Sequence, residues 1–343
     1  MGGGKTTALL DLMICRIPNL KGRERIELQK KFDKEGDFSL LSKKDIENII
    51  GRHLKGRGWT MDGIRAQAEA DAAVFDRGVR QVSWRDDEYP PLLREIYDPP
   101  SVLFFRGTLP DPEKPLVAIV GTRKPDSQGS RQAYRLGLEF GKAGLSVVSG
   151  LALGIDAMAH RGNIDGNART FAVLGSGVDC VYPASNRDIA RRLLETGGAL
   201  LSEYPPGTQP FKGNFPARNR IISALARGTI IVQAPEKSGA LITAKFALEQ
   251  GRDLWVDSAG LSLPRGAGTK VLAEEGAQVI NSAEDVLAEW NVLVTKMKAE
   301  TEDAGARLCV TSNTRTATAG NLLASSLAEQ FGIDVELHCE ELR

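Results

Sequence analysis

The sequence predicts an α/β fold on a mostly parallel sheet, preceded by a small helical domain. Three observations carry this. Between residues 116 and 290, short apolar runs alternate with stretches of helical spacing. Glycines stand at the ends of the runs, at Gly121, Gly150, Gly175 and Gly177. Residues 7–80 carry mixed charge and helical spacing. A chain of 343 residues fits one large domain with one or two small ones. The expected division is 1–80 helical, 81–115 connector, 116–290 α/β domain and 291–343 an appendage of open role.

In chain order, Gly2-Gly-Gly-Lys-Thr-Thr7 is similar to the end of a phosphate-binding loop. It lacks the earlier glycine and the preceding strand of the full pattern, so a flexible tail is expected. Apolar residues at helical spacing mark 20–32 and 44–54, and the Ala-rich stretch 65–77 favours helix. Prolines at 90, 91, 99, 100, 110, 112 and 115 exclude long helices from the connector. One short strand is expected there, at Val102–Phe105.

The α/β region predicts strands at 117–120, 145–149, 170–174, 200–202, 229–233, 253–257 and 278–280. Helices fall at 130–142, 187–195, 218–226, 241–250 and 268–275. Such alternation implies right-handed crossovers and a parallel sheet. Ligands bind beyond the carboxyl ends of strands in open parallel sheets. That puts 121–131, 150–156, 175–182 and 235–239 on one rim. After 290, strands at 308–311 and 335–338 flank a helix at 320–331, with five basic and eight acidic residues.

Composition sets limits. Hydrophobic residues make up 42% and charged residues 26%, ordinary for a globular protein. Net charge is zero, so the total charge points to no polyanion. Local charge does. From Lys212 to Arg252, seven basic residues face two acids, Glu236 and Glu249, a net of +5. The four cysteines, Cys15, Cys180, Cys309 and Cys339, lack zinc spacing and suggest reduced thiols. Without a signal pattern or a long apolar run, the expectation is a cytoplasmic protein with no membrane contact.

The strongest local signal is Asn214-Phe-Pro-Ala-Arg-Asn-Arg-Ile-Ile-Ser223. Two arginines and two asparagines converge where a helix begins. A helix start offers free N–H groups and a positive dipole end, and guanidinium groups there make an anion site. Gly121-Thr-Arg-Lys124 follows the first strand of the α/β region, where Arg123 can face phosphate or lie on an exposed turn. Ser149–Asp156 places two glycines at a strand-to-helix turn, for ligand approach or for packing. Lys237-Ser-Gly-Ala240 can cap a helix or bind an anion. Gly175-Ser-Gly177 lacks the third glycine of a dinucleotide fingerprint. Asp156 and His160, four apart, can share a helix face, and a structural role is favoured. No catalytic triad or metal cluster is visible, so no catalytic residue, metal or cofactor is expected.

Taken together, the motifs resemble the DNA-processing protein A family, also called Smf, over roughly 82–290. They occur in order: Tyr89-Pro90 to Pro99-Pro100-Ser-Val-Leu-Phe-Phe-Arg-Gly107; Val117-Ala-Ile-Val-Gly-Thr-Arg123; Ser149-Gly-Leu-Ala-Leu-Gly-Ile-Asp-Ala-Met-Ala-His160; Val173-Leu-Gly-Ser-Gly-Val-Asp179 with Tyr182-Pro183. Leu201-Ser-Glu-Tyr-Pro-Pro-Gly207, Asn214-Phe-Pro-Ala-Arg-Asn-Arg-Ile-Ile222 and Ser238-Gly-Ala-Leu-Ile-Thr-Ala244 with Ala247-Leu-Glu-Gln-Gly251 follow. The resemblance implies an extended Rossmann-like fold, with helices on both faces and a sterile-alpha-motif-like helical front. It implies a homodimer that binds single-stranded DNA, protects incoming strands in natural transformation and loads the RecA recombinase, without catalytic turnover. The implied DNA-binding residues are Arg123, Gly150, Arg218, Asn219, Arg220, Ser238, Gly239 and Lys245. Phe211, Phe215 and Tyr182 can stack a base or pack locally.

Two departures stand out. Val256-Asp-Ser-Ala-Gly260 replaces the family's Val-Pro-Gly turn, and Lys270 replaces its usual Asn. The tail does not read as the family's winged-helix domain. Arg218 and Arg220 are about 200° apart on a helix, so Arg220 either contacts DNA or braces the fold. Replacing both by Glu is expected to abolish binding and spare the fold. The rival reading is a nucleotide phosphoribohydrolase of the lysine-decarboxylase-like group, with Pro235–Ala240 and Glu249 as a distant echo of its motif. A third reading is an adaptor that binds RecA without DNA.

Overall fold

The computed structural model describes residues 4–55, 58–75, 78–261 and 265–290. The elements expected at 308–311, 320–331 and 335–338 lie outside them. Two compact units divide at Asp285. The described start of the second unit, 286–290, is helical.

Five helices lead the chain: α1 (Gly4–Arg16), α2 (Gly22–Lys31), α3 (Glu35–Ser39), α4 (Lys43–Ile50) and α5 (Met61–Ala72). The expected flexible tail is therefore helical from Gly4. The run that follows it buries Leu10, Leu12, Met13 and Ile14 completely, and this anchors the helix. Ser42 opens α4 with a reciprocal capping box to Asp45, and Thr60 caps α5. Gln29 is fully buried; it donates to Asp11 (2.7 Å) and to the Ser101 carbonyl (3.2 Å). This network fastens the helical front to the sheet.

Nine strands form one sheet among the described residues: β1 (Arg80–Ser83), β2 (Val102–Gly107), β3 (Leu116–Val120), β4 (Ser146–Ser149), β5 (Thr170–Val173), β6 (Ala199–Ser202), β7 (Gly228–Ile231), β8 (Asp253–Asp257) and β9 (Gln278–Ile280). Their order is β1-β2-β6-β5-β4-β3-β7-β8-β9. All pairs from β6 to β9 are parallel. β1 and β2 pair antiparallel and join β6, Phe104 opposite Ser202. The proline-rich stretch thus adds an antiparallel flank. Its strand runs two residues past the expected end, and its one helix, α6 (Pro91–Arg94), is a single turn.

The remaining helices are α7 (Ser127–Lys142), α8 (Ile155–Asp165), α9 (Arg187–Glu195), α10 (Asn214–Leu225), α11 (Gly239–Glu249), α12 (Ser258–Leu261) and α13 (Ala267–Glu274). They cover both sheet faces, as strands buried on both sides require. Phe171 and Val173 of β5 pack with Ile221, Ile222 and Ala244 on one face, while Ala172 joins Leu193 and the helical front on the other. This is a Rossmann-like α/β fold. At the unusual turn after β8, Asp257 is fully buried. It accepts from Gln132 (3.3 Å) and from Ala259 N–H (2.9 Å), which starts α12.

The topology fixes where a ligand enters. From β3 the chain winds outward through β4, β5 and β6, then returns to place β7 on the other side of β3. The crevice between the carboxyl ends of β3 and β7 is the switch point of the sheet.

Candidate functional site

A groove of about 870 Å³ opens at that switch point. The turn after β3, Gly121–Lys124, forms one wall, and Pro235 with Lys237–Ala240 forms the other. Backbone bonds hold the first wall: Thr122 N–H donates to the Gln233 carbonyl (2.7 Å) and Ile155 N–H to the Thr122 carbonyl (3.3 Å). Gly154 makes this approach possible. It has φ +79°, and a Cβ there would sit 2.5 Å from the Thr122 oxygen.

The start of α10 closes the groove between these walls. Asn214 donates to the Gly175 carbonyl (3.1 Å), so the helix begins over the end of β5. It begins four residues earlier than expected, which moves Arg218 from the first turn to the second. Arg218 is 4% exposed. Its Nη1 donates to the Gly150 carbonyl (2.6 Å) and to the Val173 carbonyl, while Nε has no partner. A Cβ at Gly150 would stand 2.6 Å from the guanidinium, so any larger residue there would displace the Arg218 side chain.

Charge in the groove is one-sided. Arg123, Lys124, Lys212, Lys237 and Arg265 are exposed around it, and Arg218 lies at its floor. Asp156 is the one acidic residue among those lining it. Its carboxylate accepts from the N–H groups of Gly150 (3.1 Å) and Ala152 (3.4 Å). Burial raises its pKa, against the pull of Arg218 and these N–H groups. Burial also brings the Arg218 pKa down to about 10, with Asp156 opposing the shift.

An aromatic pair stands beside the cations. Tyr182, 48% exposed, lies with its ring 5.6 Å from that of Phe215, and the Arg123 guanidinium sits 5.4 Å above the Phe215 ring. Phe211 is exposed and does not line the groove.

The structure therefore brings Arg123, Arg218, Asn219, Ser238 and Gly239 together in the groove, with Gly150 beneath Arg218. Asn219 donates to the Gly239 carbonyl (3.1 Å), and Ser238 caps α11 through Ala240 N–H (3.2 Å). Two expected residues lie elsewhere. Arg220 turns to the other side of α10 and grips Glu203 through two 2.7 Å bonds. Its Nε donates to the Asp98 carbonyl (3.0 Å). Burial opposes its charge, but Glu203 more than offsets this, so its pKa is raised. Lys245 lies on the outer side of α11, 3.7 Å from Glu249. That glutamate, part of the rival hydrolase reading, is likewise absent from the groove lining.

Lys212 and Arg265 line the groove without having been singled out as site residues. Lys212 carried a signal, since it stands three residues before Phe215 in the basic segment. Arg265 carried none: its place follows from the fold, which hydrogen-bonds its guanidinium to the Lys124 carbonyl. His160 is fully buried. Its Nδ1 lies 2.7 Å from Thr170 Oγ1, and burial, then the charge of Arg218, pushes its pKa down to about 3. It is a core residue. A larger hollow, about 1370 Å³, lies at the amino ends of the strands. Four basic and four acidic residues line it alongside prolines, so it concentrates no field of one sign.

Comparison with known proteins supports one family. The profile of DNA recombination-mediator protein A matches residues 80–291. Protein Smf of Synechocystis is 46% identical over 212 residues, 61% of this chain and 53% of that protein. The match thus spans about half the length of that curated relative. The crystal structure of DNA processing protein A from Streptococcus pneumoniae superposes with a TM-score of 0.64 at 34% identity, covering 83% of this chain and 95% of that one. DNA processing protein A from Helicobacter pylori, known for a unique single-stranded DNA binding mode, superposes with a TM-score of 0.55 at 30% identity, over 64% and 96%. Among the described residues, no helix is long and apolar enough to cross a membrane.

Proposed function

The chain belongs to the DNA recombination-mediator protein A family, and from that premise we propose that it binds single-stranded DNA in the groove at the switch point. In this reading it works in the cytoplasm as a homodimer. It protects incoming strands in natural transformation and loads the RecA recombinase onto them. The observation that carries the strand-binding reading is the groove itself: six cations against one carboxylate, with the exposed Tyr182 ring against the half-buried Phe215 alongside.

The chemistry suits a single strand. Phosphates meet guanidinium and ammonium groups, which supply affinity without reading sequence. Bases freed from pairing can stack on Tyr182 and Phe215, which a duplex does not allow. The reading is one of binding rather than turnover.

A salt-titrated comparison of single- and double-stranded DNA tests it. Tight, sequence-tolerant binding to the single strand is expected, falling with salt at a log–log slope of about −0.7 per phosphate neutralised. Equal affinity for duplex, or binding indifferent to salt, would overturn it. Filament growth of RecA on strands coated by the usual single-strand binding protein tests the loading step. No acceleration on adding this protein would refute that step alone. Light scattering of the purified chain tests the dimer.

A further inference from the structure

We propose that Asn186 and Ser176, neither of which lines the groove, are positioning residues for strand binding. They pin the segment that carries Tyr182 and so hold its ring against Phe215. The assignment builds on the strand-binding reading and says what keeps the stacking ring in place.

Of the two rings, Phe215 is set by its own helix. It belongs to the first turn of α10 and lies on Gly175, where a Cβ would stand 2.9 Å from it. Tyr182 stands outside any helix or strand, with 48% of its surface exposed. An exposed ring on a free loop gives up conformational entropy when it stacks a base, and a ring held in advance gives up less. Two buried side chains supply the restraint, one on each side. Before Tyr182, Ser176 donates to the Cys180 carbonyl (2.6 Å), and Cys180 N–H donates to the Gly177 carbonyl (2.8 Å). After it, Ala184–Asn186 form one 3-10 turn, and Asn186 N–H donates to the Pro183 carbonyl (3.0 Å). The Asn186 side chain, 4% exposed, donates through Nδ2 to two successive carbonyls, Leu151 (3.0 Å) and Ala152 (3.2 Å). Only Val181 to Ser185 lie between the pins.

The far end of the second pin is conformationally unusual. Leu151 has φ +54°, in the left-handed region that a bulky non-glycine residue rarely enters, and it is fully buried. Such backbone persists where its surroundings hold it, and it clusters at binding sites. Here the Gly150 and Ala152 N–H groups donate to the Asp156 carboxylate, while Asn186 donates to the carbonyls of Leu151 and Ala152. Arg218 donates to the Gly150 carbonyl of the same turn (2.6 Å). Asn186 thus joins the segment of the stacking ring to the turn that seats Arg218, and fixes the reach from base to cation. Asp156 holds that turn from the other side, so losing Asn186 frees the ring and spares the floor.

The test uses the full chain labelled with 3-fluorotyrosine. Five tyrosines give five fluorine resonances, and Tyr182→Phe assigns the one at the groove. Asn186→Ser, too short to reach both carbonyls, should move the Tyr182 resonance toward its position in the unfolded chain and leave the others in place. It should weaken binding to a thymidine tract about fivefold, with the parental salt slope. Tyr182→Ala costs at least as much in the parent, and should cost less than about twofold once Asn186 is replaced. Ser176→Ala should act in the same direction at the other pin, and it carries the comparison if Asn186→Ser does not fold.

An unmoved Tyr182 resonance in the folded variants overturns the assignment, whether or not strands bind. A moved resonance with additive costs makes the two residues supports of the fold alone, and overturns it as well while the strand-binding reading stands. If the tract does not bind the parent while the resonance still moves, the strand-binding reading falls and the pinning of Tyr182 remains.

Discussion

Arg218 and Arg220, two positions apart on α10, leave the helix on opposite sides. Arg218 reaches the carbonyls of Gly150 and Val173 beneath the groove, while Arg220 closes a buried fork on Glu203. The helical repeat separates them by about 200°, so one helix supplies both a groove-lining and a bracing arginine.

The bracing pair predicts a stability effect. Breaking a buried ion pair from one side costs about 3–5 kcal/mol. Arg220→Gln and Glu203→Gln should each lose stability of that order in urea denaturation, while the folded fraction still binds single strands. A loss below about 1 kcal/mol would show that the pair contributes little. The double exchange of Arg218 and Arg220 to Glu, expected from sequence to spare the fold, is therefore a poor test. Arg220→Glu would set a second carboxylate against Glu203.

Lys212 predicts a salt effect. It is exposed at the groove, so Lys212→Gln should leave the melting temperature unchanged. Strand affinity should fall for every sequence alike, and the salt slope should shrink by about 0.7. A slope equal to that of the parent would remove Lys212 from the phosphate path.

Tyr182 predicts a stacking effect. Half its surface is free, and its ring lies against Phe215. Tyr182→Ala should weaken binding to a thymidine tract by about 1–3 kcal/mol with the salt slope intact. Unchanged affinity would assign the ring to local packing.

His160 predicts a pH effect. Its pKa in the fold is about 3, against 6.5 for the free group. Below pH 6.5 the unfolded chain therefore binds the extra proton, and stability falls as pH drops toward 3. Between pH 6.5 and 5 the loss should approach about 1.4 kcal/mol per pH unit. His160→Gln should flatten that window in urea titrations. The same slope in both proteins would contradict the assignment.

Much of this was legible in the sequence, for physical reasons. The apolar runs of β3 to β9 and the glycines at Gly121, Gly150 and Gly175 are local signals, and they placed four strand-end turns on one rim. The 200° spacing of Arg218 and Arg220 sends them to different sides of a helix, and in the structure Arg218 lines the groove while Arg220 pairs with Glu203. Other parts were hidden because they depend on distant partners. Asn214 starts α10 early by bonding to Gly175, 39 residues away. Glu203, seventeen residues away, claims Arg220. Arg265 reaches the groove only because α13 packs beside β8. The helical start of α1 was missed because the glycines before it look flexible, while the anchor for that helix lies in the buried residues after it.

The most direct measurement of the central claim is photo-crosslinking of the full chain to a thymidine tract carrying photoreactive bases, with the adducts located by peptide mapping. Adducts at Tyr182 and Phe215, and on 121–124 and 237–239, are the predicted result. Adducts confined to the hollow at the opposite strand ends, around Pro90 and Leu109, with none in the groove, would contradict it.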